Sequence, residues 1–273
     1  ILLTKFQETA REITDDLEKF ELGLAATKLY DFVWSNFCDW YIELAKQGLN
    51  GGDAARKKAT QEVLYYVLVG TLKLLHPYIP FVTEEVYGYL PGVEGMLITA
   101  RWPEIHPEYD FPADAERMEG VMEVIRTVRN LRAEMNVAPG RRATLLLKPH
   151  EGWGEALSAA EGYFRRLAFA SAVEILAADA PNPEKSASAV TGPCELFMPL
   201  GELVDVEKEI ARLEKDRKNV EGEIARAQGK LNNQGFVSKA SAHLIEQEKE
   251  KLETNKGLLV KIEARIAEMQ QLR

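Results

Sequence analysis

Apolar residues recur along this chain at two different periods, and the change of period divides it. Leu3, Phe6, Ala10, Ile13, Leu17 and Phe20 are spaced three and four apart, which predicts one helix with a single apolar stripe, ended or bent at Gly23. Leu29, Phe32, Val33, Phe37, Trp40, Tyr41 and Leu44 predict a second helix between Leu24 and Lys46. Asn50-Gly51-Gly52 reads as a turn, and Asp53 is placed to cap the helix that follows it. Residues 63–75 are apolar almost all round, so that helix is expected to be central. Gly70 within it suits a close approach by a neighbour. Pro77 stops it, because proline disfavours helical dihedrals in the preceding residue, and a short helix is expected near Val82–Leu90.

Met118, Val121, Met122, Ile125, Val128, Leu131 and Met135 mark another amphipathic helix over 114–136, broken at Pro139-Gly140. The period then shortens. Ala143–Leu147 and Val173–Leu176 read as strands, Tyr163–Ala170 as a helix, and Ala187–Pro199 as two extended pieces around Gly192-Pro193. A small α+β module is expected there.

Heptad spacing dominates the last seventy residues. Leu203, Val206, Ile210, Leu213, Arg217, Val220, Ile224, Ala227 and Leu231 form one seam. Ile245, Glu248, Leu252, Asn255, Leu259, Ile262, Ile266 and Met269 form the other. A turn-rich stretch, Asn232-Asn233-Gln234-Gly235-Phe236, separates them. Folding back at 236 pairs positions whose numbers sum to 472, so that 213 meets 259, 210 meets 262 and the polar 217 meets the polar 255. This predicts an antiparallel coiled-coil hairpin projecting roughly 45 Å, at 1.5 Å per residue. The expected fold is mainly α, in three segments: an antiparallel helical bundle at 1–112, an α+β junction module at 113–202 and the coiled-coil hairpin at 203–273.

Charge refines this picture. The chain of 273 residues carries a formal net charge of −9, which argues against a uniformly basic nucleic-acid binder. The deficit is uneven. Residues 203–273 are net +1, and 225–245 hold Arg226, Lys230 and Lys239 with no acid. That window is either a solvated tip or one meant for phosphate. Cys38 and Cys194 form no paired motif and fit a reducing compartment, and the four histidines lack metal-ligand spacing. No apolar run reaches membrane-spanning length. No phosphate loop, dinucleotide fold-back or nucleophile elbow occurs, so no catalytic residue and no metal ligand is expected. Position 1 is Ile rather than Met, and the chain is expected to be a piece of a longer one.

Three blocks carry a resemblance. They are Phe37-Cys38-Asp39-Trp40-Tyr41-Ile42-Glu43, then His76–Glu85 followed by Trp102-Pro103, then Arg129–Glu134 with Val137-Ala138-Pro139-Gly140. They resemble the C-terminal region of class I aminoacyl-tRNA synthetases for branched aliphatic amino acids. Lys230-Leu231-Asn232-Asn233, Phe236–Ala240 and Glu248–Leu252 narrow this to the valyl-tRNA synthetase family. The resemblance implies an anticodon-binding helical domain and a tRNA-gripping arm. Catalytic and editing domains would lie upstream in the same polypeptide, with ATP and magnesium acting there and no cofactor here. It implies tRNA(Val) as partner, a cytoplasmic location and a monomer. The RNA contacts expected are Arg226, Lys230, Asn232, Asn233, Phe236 and Lys239 near the arm's tip, with Arg129 and Arg132 on the 114–136 helix. Phe236 either caps the seam or stacks on a base. Arg126, Arg129 and Arg132 either meet phosphates or form a solvated, salt-bridged face. Trp34, Trp40 and Tyr41 are expected in the core rather than as stacking platforms. The rival reading of the tail is a coiled-coil scaffold that binds protein.

Overall fold

The computed structural model describes residues 1–203, 206–233 and 242–271. It is mainly helical with one small sheet. Contacts gather the chain into two compact units, Ile1–Thr127 with Pro149–Ala168 and Thr191–Cys194, and Val128–Lys148 with Phe169–Val190 and Glu195–Arg273.

In the first unit α1 (Leu2–Glu18), α2 (Leu22–Asp31), α3 (Ile42–Asn50), α4 (Ala54–Leu75) and α5 (Pro80–Gly88) account for most of the helix. Phe6, Ala10 and Ile13 of α1 meet Ala25 and Leu29 of α2 and Val67 and Leu74 of α4 in one core. The helix expected to reach Phe20 stops two residues sooner. Phe20 takes φ +60°, its N–H reaches Leu17 O at 3.0 Å, and the Glu21 N–H reaches Asp16 O at 2.8 Å. That is a Schellman ending with a bulky residue where glycine is usual. It turns Phe20 outward, 87% exposed, and leaves Gly23 inside α2.

A second departure is the π-helical stretch Phe32–Tyr41 between α2 and α3. Its wider turn brings residues five apart onto one face, and Phe32 and Phe37, five apart, are the two it buries. Trp34 on the same stretch stands 52% exposed beside Tyr30, contrary to its expected core position.

Asp53 caps α4, its Oδ1 accepting from the N–H groups of Ala55 and Arg56 at 2.9 and 3.1 Å. Gly70 admits the ring of Phe6. A Cβ at that position would lie 2.1 Å from Phe6 Cζ. The ring is braced in turn by Phe32 and edge-on by Tyr66, with centroids at 6.0 and 5.6 Å.

α6 (Pro112–Glu134) spans the boundary between the units, and α7 (Gly154–Ala159) and α8 (Glu161–Leu167) belong to the first. The second unit holds a four-stranded sheet ordered β2-β1-β4-β3, made of β1 (Ala143–Pro149), β2 (Ala170–Ile175), β3 (Ser186–Val190) and β4 (Cys194–Pro199). β1 and β2 run parallel and are joined through α7 and α8, as a parallel pair requires a crossover. β3 and β4 are antiparallel. Ala143, Leu145 and Leu147 alternate inward, the period of two read from the sequence.

α9 (Leu200–Leu203), α10 (Val206–Asn232) and α11 (Ala242–Gln271) complete the described chain. Leu213 of α10 is buried with Ile262 and Ile266 of α11, and Ile210 and Val220 pack on them. Every seam position whose side chain is described is buried or half-buried, including Arg217, Glu248 and Asn255. An ion pair between the two helices joins Lys230 to Glu248, whose numbers sum to 478. Level pairing at 472 sets Glu248 beside Ile224. The observed partner thus lies six positions along α10, about 9 Å of helix.

Gly70→Ala is expected to destabilise the whole chain. Overpacking a closed core costs about 1–3 kcal/mol, against which alanine returns about 1 kcal/mol of helix propensity. Urea unfolding monitors it, and adding Phe6→Leu is expected to recover part of the loss.

Candidate nucleic-acid interface

Arg226 and Lys230 share one face of α10, four residues apart. Neither is a bare cation. Arg226 is exposed, and its Nη1 donates to Glu223 Oε1 at 2.6 Å, one turn back. Lys230 Nζ donates to Glu248 Oε1 at 2.8 Å, across to α11. The acid-free window 225–245 therefore draws a carboxylate from just beyond each of its ends. Only spatial folding brings Glu248 to Lys230. An exposed pair such as Arg226–Glu223 is worth a few tenths of a kcal/mol, so phosphate can displace the carboxylate cheaply. The Lys230 pair is set differently, because the Glu248 side chain is only 8% exposed. The hydrogen bond from Lys230 holds the Glu248 carboxyl below the usual carboxylate range. Asn232 closes α10, and the Asn233 N–H donates to Lys230 O at 3.2 Å, so both amide side chains stand at the helix end with Lys230. Phe236 and Lys239 lie outside the described residues.

The arginines on α6 do not form a row. A step of three residues turns a helix 60° short of a full circle, so positions 126 and 132 end on different faces. Arg126 is exposed with its guanidinium 5.2 Å from the Trp40 ring centre, a cation–π contact. Arg129 is exposed. Arg132, the other contact expected on this helix, is only 5% exposed and is turned to the protein's own carbonyls. Its Nη2 donates to Arg141 O at 2.6 Å and Ala138 O at 3.4 Å, and its guanidinium lies over the Phe169 ring at 5.4 Å. Burial pulls its pKa down from the ordinary guanidinium value. The backbone explains the position. Asn136 at φ +52° ends α6 in a Schellman turn, with the Val137 N–H on Arg132 O at 2.9 Å, before Pro139-Gly140 is reached. Arg132 then holds the turn beyond by its carbonyls.

Trp40 is half-buried, as is Tyr41, whose phenol is pushed up to about 12 by burial with Tyr163 nearby. Among the described residues no group of histidine, cysteine, aspartate and glutamate could hold a metal ion, and no helix is long and apolar enough to cross a membrane.

Two outcomes follow from this geometry. Arg132→Met keeps the bulk but leaves two carbonyls without their donor. It is expected to cost about 1–3 kcal/mol in urea unfolding while leaving the RNA affinity of the folded protein unchanged. Glu248, with its folded pKa below the unfolded value, contributes stability that is complete above about pH 4.3. That contribution is lost as pH falls through the folded value. Carboxyl NMR is expected to show the low value and to show Lys230→Met raising it; an unmoved titration would remove Lys230 as the cause.

Two stretches of the chain match family models of known proteins. Residues 1–147 match the family model of the anticodon-binding domain of tRNA ligase, running past residue 112 through α6 and most of β1. Residues 205–270 match the valyl-tRNA synthetase tRNA-binding arm, across α10 and α11. The chain is 42% identical over 266 residues to the valine–tRNA ligase of Clostridium acetobutylicum, covering 97% of this chain and 30% of that protein. It is 40% identical over 270 residues to that of Geobacillus stearothermophilus, covering 98% and 30%. With that of Enterococcus faecalis it shares 41% over 274 residues, covering 100% and 31%. It thus spans about a third of the length of the relatives it matches. The chain belongs to the valyl-tRNA synthetase family of tRNA ligases, matching its anticodon-binding domain and its tRNA-binding arm.

Proposed function

We propose that this chain is the tRNA-holding region of a valine–tRNA ligase, positioning tRNA(Val) for aminoacylation by a catalytic portion elsewhere in the same enzyme. The observation that carries the reading is the arm match over 205–270 falling on two long helices that pack through a heptad seam. α10 has 27 residues and α11 has 30, which makes them about 40 and 45 Å long. Leu213 with Ile262 and Ile266, and Lys230 with Glu248, support an antiparallel coiled-coil hairpin. In this reading residues 1–112 form an antiparallel bundle along the anticodon stem, 113–202 a junction, and 203–273 the arm on the outer corner of the L-shaped RNA. The arm meets phosphates, 2′-hydroxyls and unstacked bases, the groups that structured RNA displays. The enzyme gains by orientation, because an acceptor end held in reach of a distant site reacts as though at high effective concentration. ATP and magnesium act at that distant site, and the enzyme works as a cytoplasmic monomer.

In the intact ligase, Lys230→Ala with Lys239→Ala is expected to weaken tRNA(Val) binding. It should also flatten the salt dependence by roughly 0.7 to 0.9 in log–log slope for each phosphate that is no longer neutralised. Valine activation measured without tRNA is expected to be unchanged. Equal loss of both activities would indicate misfolding. Unaltered tRNA affinity and slope would favour an arm that serves as a protein scaffold.

A further inference from the structure

A cleft of about 370 Å³ in the first unit has no part in the surfaces described above. It opens beside α4 and the segment 101–106, and its size is that of a small-ligand site. Five of the residues lining it carry rings: Phe6, Tyr65, Tyr66, Trp102 and His106. All but Phe6 are held by a hydrogen bond of their own polar atoms. Tyr65 Oη donates to Pro91 O at 2.7 Å, and Trp102 Nε1 donates to Thr14 Oγ1 at 2.9 Å. Gln7 Nε2 donates to Tyr66 Oη at 3.0 Å and its Oε1 accepts from the backbone N–H of His106 at 2.7 Å, while the His106 ring Nδ1 pairs with Glu108 Oε1 at 3.2 Å. Tyr109 stands edge-on to Tyr66 with centroids at 5.3 Å. The polar ends of these rings are thus satisfied within the protein, and what they offer the cleft is held in place beforehand.

The rest of the lining is charged. Lys73, Arg101 and Glu104 border the cleft, and their side chains make no hydrogen bond or ion pair with any described residue. Several other cations of this unit are committed to acids. Lys5 is paired with Glu8 and Glu119, Lys28 with Glu12 and Asp16, Lys46 and Arg166 with Glu43, and Arg165 with Glu161. Two uncommitted cations beside fixed aromatic walls suit a ligand with a flat ring at one end and an anion at the other. Glu104 adds an acceptor for a ring amino group.

We propose that this cleft binds one nucleotide, its base against the aromatic walls and its phosphate on Lys73 and Arg101. The same chemistry is carried by an unstacked residue of bound RNA and by a free mononucleotide. The first of these rests on the tRNA-holding reading, and the second does not.

The test follows the indole N–H NMR resonance of Trp102, assigned with Trp102→Phe, as the whole chain is titrated with AMP and separately with adenosine. AMP is expected to shift it saturably and to bind about tenfold or more tighter than adenosine, the effect of one or two charge-assisted hydrogen bonds. Lys73→Gln with Arg101→Gln is expected to erase the difference between AMP and adenosine while adenosine binding persists, which also shows that the double variant folds. Competition by tRNA(Val) against AMP assigns the cleft to an RNA residue. AMP binding unaffected by tRNA(Val) assigns it to a free nucleotide. No shift with either AMP, up to about 10 mM, or tRNA(Val) overturns the proposal, as does an AMP preference that survives the double variant. A tRNA(Val) gel shift run in parallel separates the two readings. Its presence alongside a silent cleft leaves the arm's role intact, and its absence alongside AMP binding removes the arm's role but not the cleft's.

Discussion

The narrow apolar seam between α10 and α11 decides what the tail of this protein can do. Ile210, Leu213 and Val220 close on Ile262 and Ile266, while Leu244, Leu258 and Val260 of α11 stand exposed. Burying an isoleucine or leucine side chain is worth about 1.5–3 kcal/mol, so a few such residues hold two helices of 27 and 30 residues together. Isolated helices of that composition are marginal in water. Without the seam, Arg226, Lys230 and Asn232 would have no fixed positions from which to meet another molecule. The polar interruptions belong to the same logic. Arg217, Glu248 and Asn255 sit at seam positions and are at least half-buried, and polar residues there penalise slipped pairings more than they stabilise the right one.

Charge near the end of α10 is tempered. Each described cation there has an acid in reach, Glu223 for Arg226 and Glu248 for Lys230. An acidic protein that must not collect RNA indiscriminately benefits from such an arrangement, since phosphate has to compete with a carboxylate already in place. Several cations of the first unit, among them Lys5, Lys28 and Lys46, are paired as well. Lys73 and Arg101, which make no hydrogen bond or ion pair with a described residue, flank the cleft where Tyr65, Tyr66 and Trp102 are tied by hydrogen bonds.

Most of the fold was legible because periodicity reports burial directly. The stripe through Phe6, Ala10 and Ile13, the Asp53 cap, the close approach at Gly70 and the alternation at Ala143–Leu147 are each local patterns with a single physical reading. The failures share a cause as well. Phe20 and Asn136 end helices in left-handed geometry with no glycine to announce it, and nothing in the spacing announces the π-helical turn at Phe32–Tyr41, on which Trp34 is exposed. Arg132 looked like a surface cation because arginine is seldom buried; its burial depends on carbonyls at 138 and 141 that only the turn itself presents. Site residues were less legible than the fold, since an ion pair such as Lys230–Glu248 exists only after two distant segments meet. Phe236 and Lys239 fall outside the described residues.

The central claim is that the α10–α11 tail grips the outer corner of tRNA. Hydroxyl-radical footprinting of tRNA(Val) bound to the intact ligase, beside the same enzyme ending at residue 203, tests it most directly. The account predicts backbone protection at the outer corner of the RNA that disappears with the tail, while protection along the anticodon stem remains. An outer corner left unprotected by the intact ligase, or protected equally without the tail, would contradict it.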